Sequence, residues 1–379
     1  MEHLAPTSES TGGLIEAPLI SRFVFDALQV CGVADEPAAS VADALTQASV
    51  RGVDSHGIRL LLHYSTVCRT GRINPTASPS ATTTGPATAV VDGGNGFGHH
   101  ASFAAVDAGI ALARASGIAA VSVINSSHFG AAGCYALRAA DAGLVGMAFA
   151  NSDPFVLPHD GIRPFHGTNP LAFAAPVRGQ RPYLFDMATS VVPWNRVQDL
   201  ASKGLELPLD VAVDAGGVPT ISPAETAALL PIGGASFGYK GAGLAGMLEI
   251  LSAVMTGSPH CSALLAMTGP DLATPRRLGH FFIVIDPDRF VPRAIYDAGM
   301  AAYLGDLRAT PNRPGATVMA PGDREWRVEA ERLKNGIPVA PALRTSFAKL
   351  ADELGIAPPR YRAESVGEQL GVALGQNGQ

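Results

Sequence analysis

Charge is scarce in this 379-residue sequence: only 16% of its residues are Asp, Glu, Lys or Arg, and the formal net charge is −6. No basic cluster is longer than Arg276-Arg277. Nucleic-acid binding, which needs a basic face to neutralise phosphates, is therefore not expected. Cysteine is scarcer still. Cys31, Cys68, Cys134 and Cys261 show no CxxC spacing, which excludes a zinc ribbon and a disulfide framework and fits a reducing cytoplasm. Long hydrophobic runs are missing too: the most apolar helical stretch, residues 241–255, is short and contains Glu249. The opening residues lack a basic region followed by an apolar one, so no secretory signal peptide is expected. There is no internal repeat and no HxH or HExxH pair, so no metal is expected.

What is present describes a soluble globular chain. Hydrophobic residues make up 47%, and 42 glycines with 29 prolines imply many tight turns between short elements. Residues 1–17 are expected as a flexible lead-in. Helical patterns follow over 20–69, with a helix expected to start after Ser55-His56-Gly57, then a strand over 88–92 and a helix over 101–116. A β-branched run at 118–124, a helix at 131–142 and a strand at 144–150 alternate as in an α/β protein. Further strands are expected at 182–185 and 280–286, a buried helix at 241–255, and amphipathic helices at 324–336 and 343–355. This gives three parts: the lead-in, a helical part made of 18–75 plus 324–379, and a central α/β part at 76–323.

Two short motifs tempt and fail. Gly234-Ala-Ser236-Phe-Gly238 fits the nucleophile elbow of a serine hydrolase, but residues 229–233 are too short and too rich in Pro and Gly for the strand that motif needs. Gly241-Ala-Gly243-Leu-Ala-Gly246 fits the dinucleotide fingerprint. It lacks both the preceding strand and the later acidic residue. Close helix packing by small residues is the better reading of it.

Two spots combine chemistry with placement. His128, in Asn125-Ser-Ser-His-Phe-Gly-Ala-Ala-Gly133, sits where a strand hands over to a helix, a common ligand position in α/β sheets. A helix dipole there would favour the neutral imidazole, which can accept a proton from an alcohol. A lone loop histidine is nevertheless more often structural than catalytic. The second spot is Asp54-Ser55-His56-Gly57-Ile58-Arg59. If a helix has begun there, His56 and Arg59 project from one side, and the arginine can grip a carboxylate.

Six strings occur in one order: Asp54-Ser-His-Gly57, Ser127-His-Phe-Gly130, Gly167-Thr-Asn-Pro170, Asp186-Met-Ala-Thr-Ser190, Tyr239-Lys-Gly241 and Gly279-His-Phe-Phe282. Together they resemble the malate/L-lactate dehydrogenase family of the non-Rossmann type, over residues from about 18 to about 350. That family includes malate, ureidoglycolate and sulfolactate dehydrogenases and cyclic ketimine reductases. The resemblance implies an α/β fold with a central mixed sheet and helical N- and C-terminal segments packed together. It implies NAD or NADP as cofactor, a small 2-hydroxy or 2-oxo carboxylic acid (alternatively a cyclic ketimine) as substrate, and a homodimer.

It also implies residue roles. His128 matches the proton carrier and faces the cofactor as well. His56 and Asp186 join it as candidate catalytic groups, and Ser55, His56, Arg59, Tyr64, Asn151 and Thr168 form the candidate substrate side. Asn169, Asp186, Met187, Ala188, Lys240, Gly322, Asp323 and Arg324 form the candidate cofactor side. The chain departs from the family pattern at Arg59, which commonly falls one residue later, and at Tyr239, which precedes Lys240 instead of following it. The segments 152–158 and 193–197 look closest to the ureidoglycolate dehydrogenase branch, in which a lysine stands where this chain has Asn151.

Overall fold

The computed structural model describes residues 13–362. Its centre is a seven-stranded mixed sheet ordered Ser80–Gly85, Thr88–Asp92, Ile118–Ser126, Leu278–Ile285, Val145–Ala150, Leu171–Ala175, Tyr183–Met187. Thr88–Asp92 runs parallel to Ile118–Ser126, and the other neighbours in this sheet are antiparallel. The strand–helix–strand unit expected over 118–150 is present, but its two strands are not neighbours. Leu278–Ile285, from far along the chain, lies between them. Its near-continuous apolar sequence suits that central place, since a strand covered on both faces has no polar side to alternate with.

On one face, Ala148, Ala150, Ala172 and Ala174 are buried under the helix Gly133–Asp141. Small side chains let that helix come close and bring its N-terminus beside the last strand of the sheet. The helix Gly98–Ser116 packs against Ile118–Ser126 in the same core. A smaller sheet, ordered Ala212–Val213, Ala228–Leu229, Pro154–Val156, His166–Gly167, flanks the centre.

The helices Ala17–Val30, Asp35–Val50, Leu61–Arg69 and Pro341–Leu354 share a second core. In the first of them Ile20, Phe23, Val24 and Ala27 are buried, the spacing of a single apolar stripe, and Phe23 meets Phe347 at a ring separation of 5.5 Å. Residues 13–17 depart from the expected lead-in. Gly13–Ile15 pair antiparallel with Ile337–Val339, and a helix starts at Ala17; residues 1–12 of that stretch lie outside the described residues, as does 363–379 of the expected C-terminal part. No helix among the described residues is long and apolar enough to cross a membrane.

The buried helix expected over 241–255 is longer at its start and changes at its end. It runs Gly234–Glu249 and continues as a π-helical turn, Ile250–Val254. Both short motifs therefore lie inside a helix rather than at a strand-to-helix turn. Ser236 is an exposed residue of its first turn, and no hydrogen bond among the described residues joins it to a histidine. Close packing explains Gly241, where a Cβ would lie 2.4 Å from the Ile232 carbonyl. It does not explain Gly243, which has open space around it.

Candidate active site

The site forms where the C-terminal end of Ile118–Ser126 meets the N-terminal helices. His280, wholly buried, hydrogen-bonds through Nε2 to the Ser126 hydroxyl (2.9 Å) and the Ser127 carbonyl (3.1 Å), and its ring stacks on Phe129 at 4.6 Å. That anchors the strand end and leaves His128 partly buried just beyond it. Nδ1 of His128 lies 2.7 Å from the Tyr64 hydroxyl, which also lies 3.4 Å from Nε2 of His99. The His56 ring stacks near His128 at a centroid distance of 5.8 Å, and the Ser55 hydroxyl is 2.8 Å from His56 Nδ1. The turn that carries Ser55 and His56 is pinned by Arg332, which pairs with Asp54 at 2.6 Å. The structure thus brings Ser55, His56, Tyr64 and His128 together.

Burial holds the pKa of His128 well below the usual histidine range. His56, His99, His63 and the Arg276 guanidinium push it the same way. His56 falls to about 4 from burial and the nearby Arg59 charge. Both rings are neutral near pH 7. The cause differs from the helix dipole expected from the sequence: the following helix begins only at Gly133, and the Gly133 amide is taken by Asp186 Oδ2 at 2.7 Å. The geometry around Arg59 also differs from expectation. Asp54–His56 and Ile58–Leu60 are separate 3-10 turns with Gly57 extended between them, and the α-helix starts at Leu61. Arg59 is exposed, close enough to His56 to perturb it, and makes no hydrogen bond or ion pair among the described residues.

Asp186 lies on the edge strand of the sheet and caps the helix after His128. Burial raises its pKa and the Glu325 carboxylate adds to the rise, while the Gly133 amide and Arg51 oppose it. The chain then runs through Met187 and Ala188 to Thr189, whose amide donates to the Thr168 carbonyl (2.9 Å) and whose carbonyl accepts from Ile232 (2.9 Å). This links Asp186 to the start of the helix that carries Lys240. Lys240 is exposed and rests over the rings of Phe237 and Tyr239 at 5.5 and 5.8 Å. On the same wall, Thr168 contacts Ser152 (3.1 Å) and Asn169 bonds Glu249 (2.7 Å). Asn151 donates to the Pro259 carbonyl (3.0 Å), and its own side-chain oxygen is buried without a partner among the described residues.

Gly322 caps the helix Asp323–Asn335, so Asp323 and Arg324 open that helix, and its start lies against Tyr183–Met187, with the Leu184 amide donating to the Pro321 carbonyl. Asp323 pairs with Arg308 at 2.7 Å and Arg324 with Glu325 at 3.3 Å. Sequence reasoning missed His63, the buried Asp153–Arg276 pair (2.8 Å) and the role of buried Glu249. Glu249 did leave a signal, as the single acid in an apolar run.

The model of the malate/L-lactate dehydrogenase family matches residues 15–347. The malate dehydrogenase of Pyrococcus abyssi is 34% identical over 88% of this chain and 93% of its own. The ureidoglycolate dehydrogenase (NAD(+)) of Escherichia coli O157:H7 is 33% identical over 86% and 92%. Among solved structures, the delta1-piperideine-2-carboxylate reductase of Pseudomonas syringae pvar. tomato superposes with a TM-score of 0.79 at 32% identity, covering 89% of this chain and 99% of that one.

Proposed function

The chain belongs to the malate/L-lactate dehydrogenase family, and from that premise we propose that it transfers a hydride between a nicotinamide nucleotide, NAD or NADP, and the α-carbon of a small 2-hydroxy or 2-oxo carboxylic acid. The observation that carries the reading is His128: a neutral, partly buried imidazole whose Nδ1 is engaged by Tyr64, leaving Nε2 for the substrate. In oxidation Nε2 takes the proton of the substrate hydroxyl; in reduction it returns it to the oxygen. Arg59, with a guanidinium free of other partners among the described residues, binds the substrate carboxylate beside Ser55 and His56. Asn151 and Thr168 line the opposite wall.

The donor set fits a dinucleotide. Lys240 has no carboxylate partner among the described residues, is exposed, and suits a phosphate. Asp186, Met187, Ala188 and Asn169 would line the nicotinamide side, with Gly322, Asp323 and Arg324 at the far edge. When bound, the nicotinamide supplies the hydride chemistry, and the protein supplies orientation and the proton.

The test is a panel of 2-oxo acids and cyclic imines with NADH and with NADPH, followed by loss of nicotinamide absorbance. Turnover of a 2-oxo acid is expected. Turnover of cyclic imines alone would favour the second reading, a ketimine reductase, which the likeness to the Pseudomonas syringae reductase supports. No turnover of either class would sink the proposal.

The homodimer belongs to the same proposal. Phe237, Met247, Ile250 and Val254, on one helix and its π-helical extension, and Met255 just after it are all exposed, an unusual apolar surface for a monomer. Light scattering at twice the chain mass is the expected result. Four unpaired cysteines support a reducing, cytoplasmic setting.

A further inference from the structure

We propose that His99 is a positioning residue that sets the tautomer of His128 through the Tyr64 hydroxyl. This rests on the reading of His128 as the proton carrier. Residue 99 is held in place by its own helix. The N-terminus of Gly98–Ser116 presses on the loop after Ile118–Ser126 so closely that a Cβ at Gly98 would lie 2.2 Å from the Ser127 carbonyl, and the Gly98 amide donates to the Ser127 hydroxyl at 2.9 Å. On the other side Gly130, at φ +73, leaves the space that a Cβ would take 2.8 Å from His99 Nε2. His99 is wholly buried, and its ring meets Tyr64 edge-on at a centroid distance of 5.0 Å.

Three atoms form a chain: His128 Nδ1, the Tyr64 hydroxyl at 2.7 Å, and His99 Nε2 at 3.4 Å from that hydroxyl. A neutral imidazole carries one N–H, so the chain has two polarities. In the first, His128 Nδ1–H donates to the tyrosine oxygen and the tyrosine O–H donates to His99 Nε2. In the second, His99 Nε2–H donates to the tyrosine oxygen and the tyrosine O–H donates to His128 Nδ1, which puts the proton of His128 on Nε2. Only the first leaves an Nε2 lone pair for a substrate hydroxyl. It also survives the reaction unchanged: one proton passes from the substrate oxygen to Nε2, His128 becomes imidazolium with both nitrogens donating, and no proton moves onto His99. The second polarity offers the imidazolium no acceptor.

The required acceptor must stay neutral while His128 changes charge. Burial and the neighbouring His280 hold the pKa of His99 down to about 3, which keeps it so. That polarity puts the proton of His99 on Nδ1, which is buried with no hydrogen-bond partner among the described residues. Holding this unpaired N–H is what it costs to keep Nε2 as the acceptor, and packing alone would be served by leucine. The long 3.4 Å link resembles the loose hydrogen bonds that tighten once substrate binds. The tautomer of a working histidine is commonly fixed in this manner by the partner of its other nitrogen.

The experiment compares wild type, His99→Leu and His99→Gln, with Tyr64→Phe as the variant that cuts the chain elsewhere. The 15N spectrum of labelled histidines reads the His128 tautomer, assigned by its loss in His128→Ala. We expect Nδ1–H in wild type and Nε2–H in His99→Leu and Tyr64→Phe. We expect kcat to fall roughly 10–100-fold in those two, with nucleotide affinity unchanged and most of the loss recovered in His99→Gln, whose amide oxygen can accept from Tyr64. A folded His99→Leu with wild-type kcat and the Nδ1–H tautomer overturns the inference. If His99→Leu does not fold, the same result in Tyr64→Phe overturns it. Full turnover in His128→Ala would instead bring down the reading on which it rests, so the two failures are distinct.

Discussion

The rings of His56 and His128 lie within 21° of parallel with their centroids 5.8 Å apart, and neither can take a proton cheaply while buried beside the other. His63 is held at about 4 and His99 and His280 at about 3, each mainly by burial. In the unfolded chain all five would titrate near 6.5. Between about pH 6.5 and 4 the unfolded state therefore binds more protons than the folded one, and stability falls as pH falls. Each such histidine contributes about 1.4 kcal/mol per pH unit inside that window. Urea denaturation from pH 8 to pH 4 should show a plateau above about 7 and a steep loss below 6. A flat profile across that range would mean the histidines are not neutral and buried together.

Arg59 offers a separation of binding from folding. It is exposed and pairs with no other described residue, so Arg59→Ala should leave the melting temperature within error of wild type. If it grips the substrate carboxylate, KM for acid substrates should rise by roughly 10–100-fold, the loss of a charge-assisted pair worth about 1.5–3 kcal/mol. Steady-state kinetics with one 2-oxo acid decides it, and an unaltered KM moves carboxylate binding to another residue.

Much of this site was legible in the sequence because its chemistry sits in local strings. His128 stood out from the strand before it and the glycines after it, and Ser55 with His56 from a turn of their own. Tyr64 came only with the family resemblance, since one tyrosine in a helical pattern announces nothing. The helix dipole was misassigned because Ala131 and Ala132 are good helix formers, whereas Gly130 takes a left-handed conformation and delays the helix to Gly133. His99 lay beside His100 in plain view. What gives it meaning, complete burial against Tyr64, is a tertiary fact. The strand order was equally hidden, because Leu278–Ile285 reaches its central place by long-range pairing that no local pattern encodes.

Asp186 has two tasks that substitutions can separate. As an acceptor for the Gly133 amide it caps a helix, and an uncharged acceptor serves there almost as well. Asp186→Asn should therefore keep the melting temperature, while Asp186→Ala should lose about 0.5–2 kcal/mol. Any effect of Asp186→Asn on nucleotide affinity or kcat then reports the carboxylate itself. Calorimetry with NADH on both variants reads this, and equal behaviour of Asn and wild type in every assay would leave Asp186 with the cap alone.

Glu249 ties three segments together from inside the protein. It is buried, and its carboxylate accepts from Asn169 (2.7 Å), from the Cys261 amide (3.1 Å) and at longer range from Asn151 (3.4 Å). The π-helical turn begins at the next residue, a feature that often marks a functional site. Glu249→Ala strands at least two buried donors, at about 1–3 kcal/mol each, and frees the wall that holds Asn169 and Asn151. Glu249→Gln restores one acceptor oxygen but turns an N–H₂ toward a neighbour that also donates. The melting temperatures should therefore fall in the order wild type, Gln, Ala. A Glu249→Ala protein that melts with wild type would show that these donors find other partners, and the network would then be packing rather than support for the site.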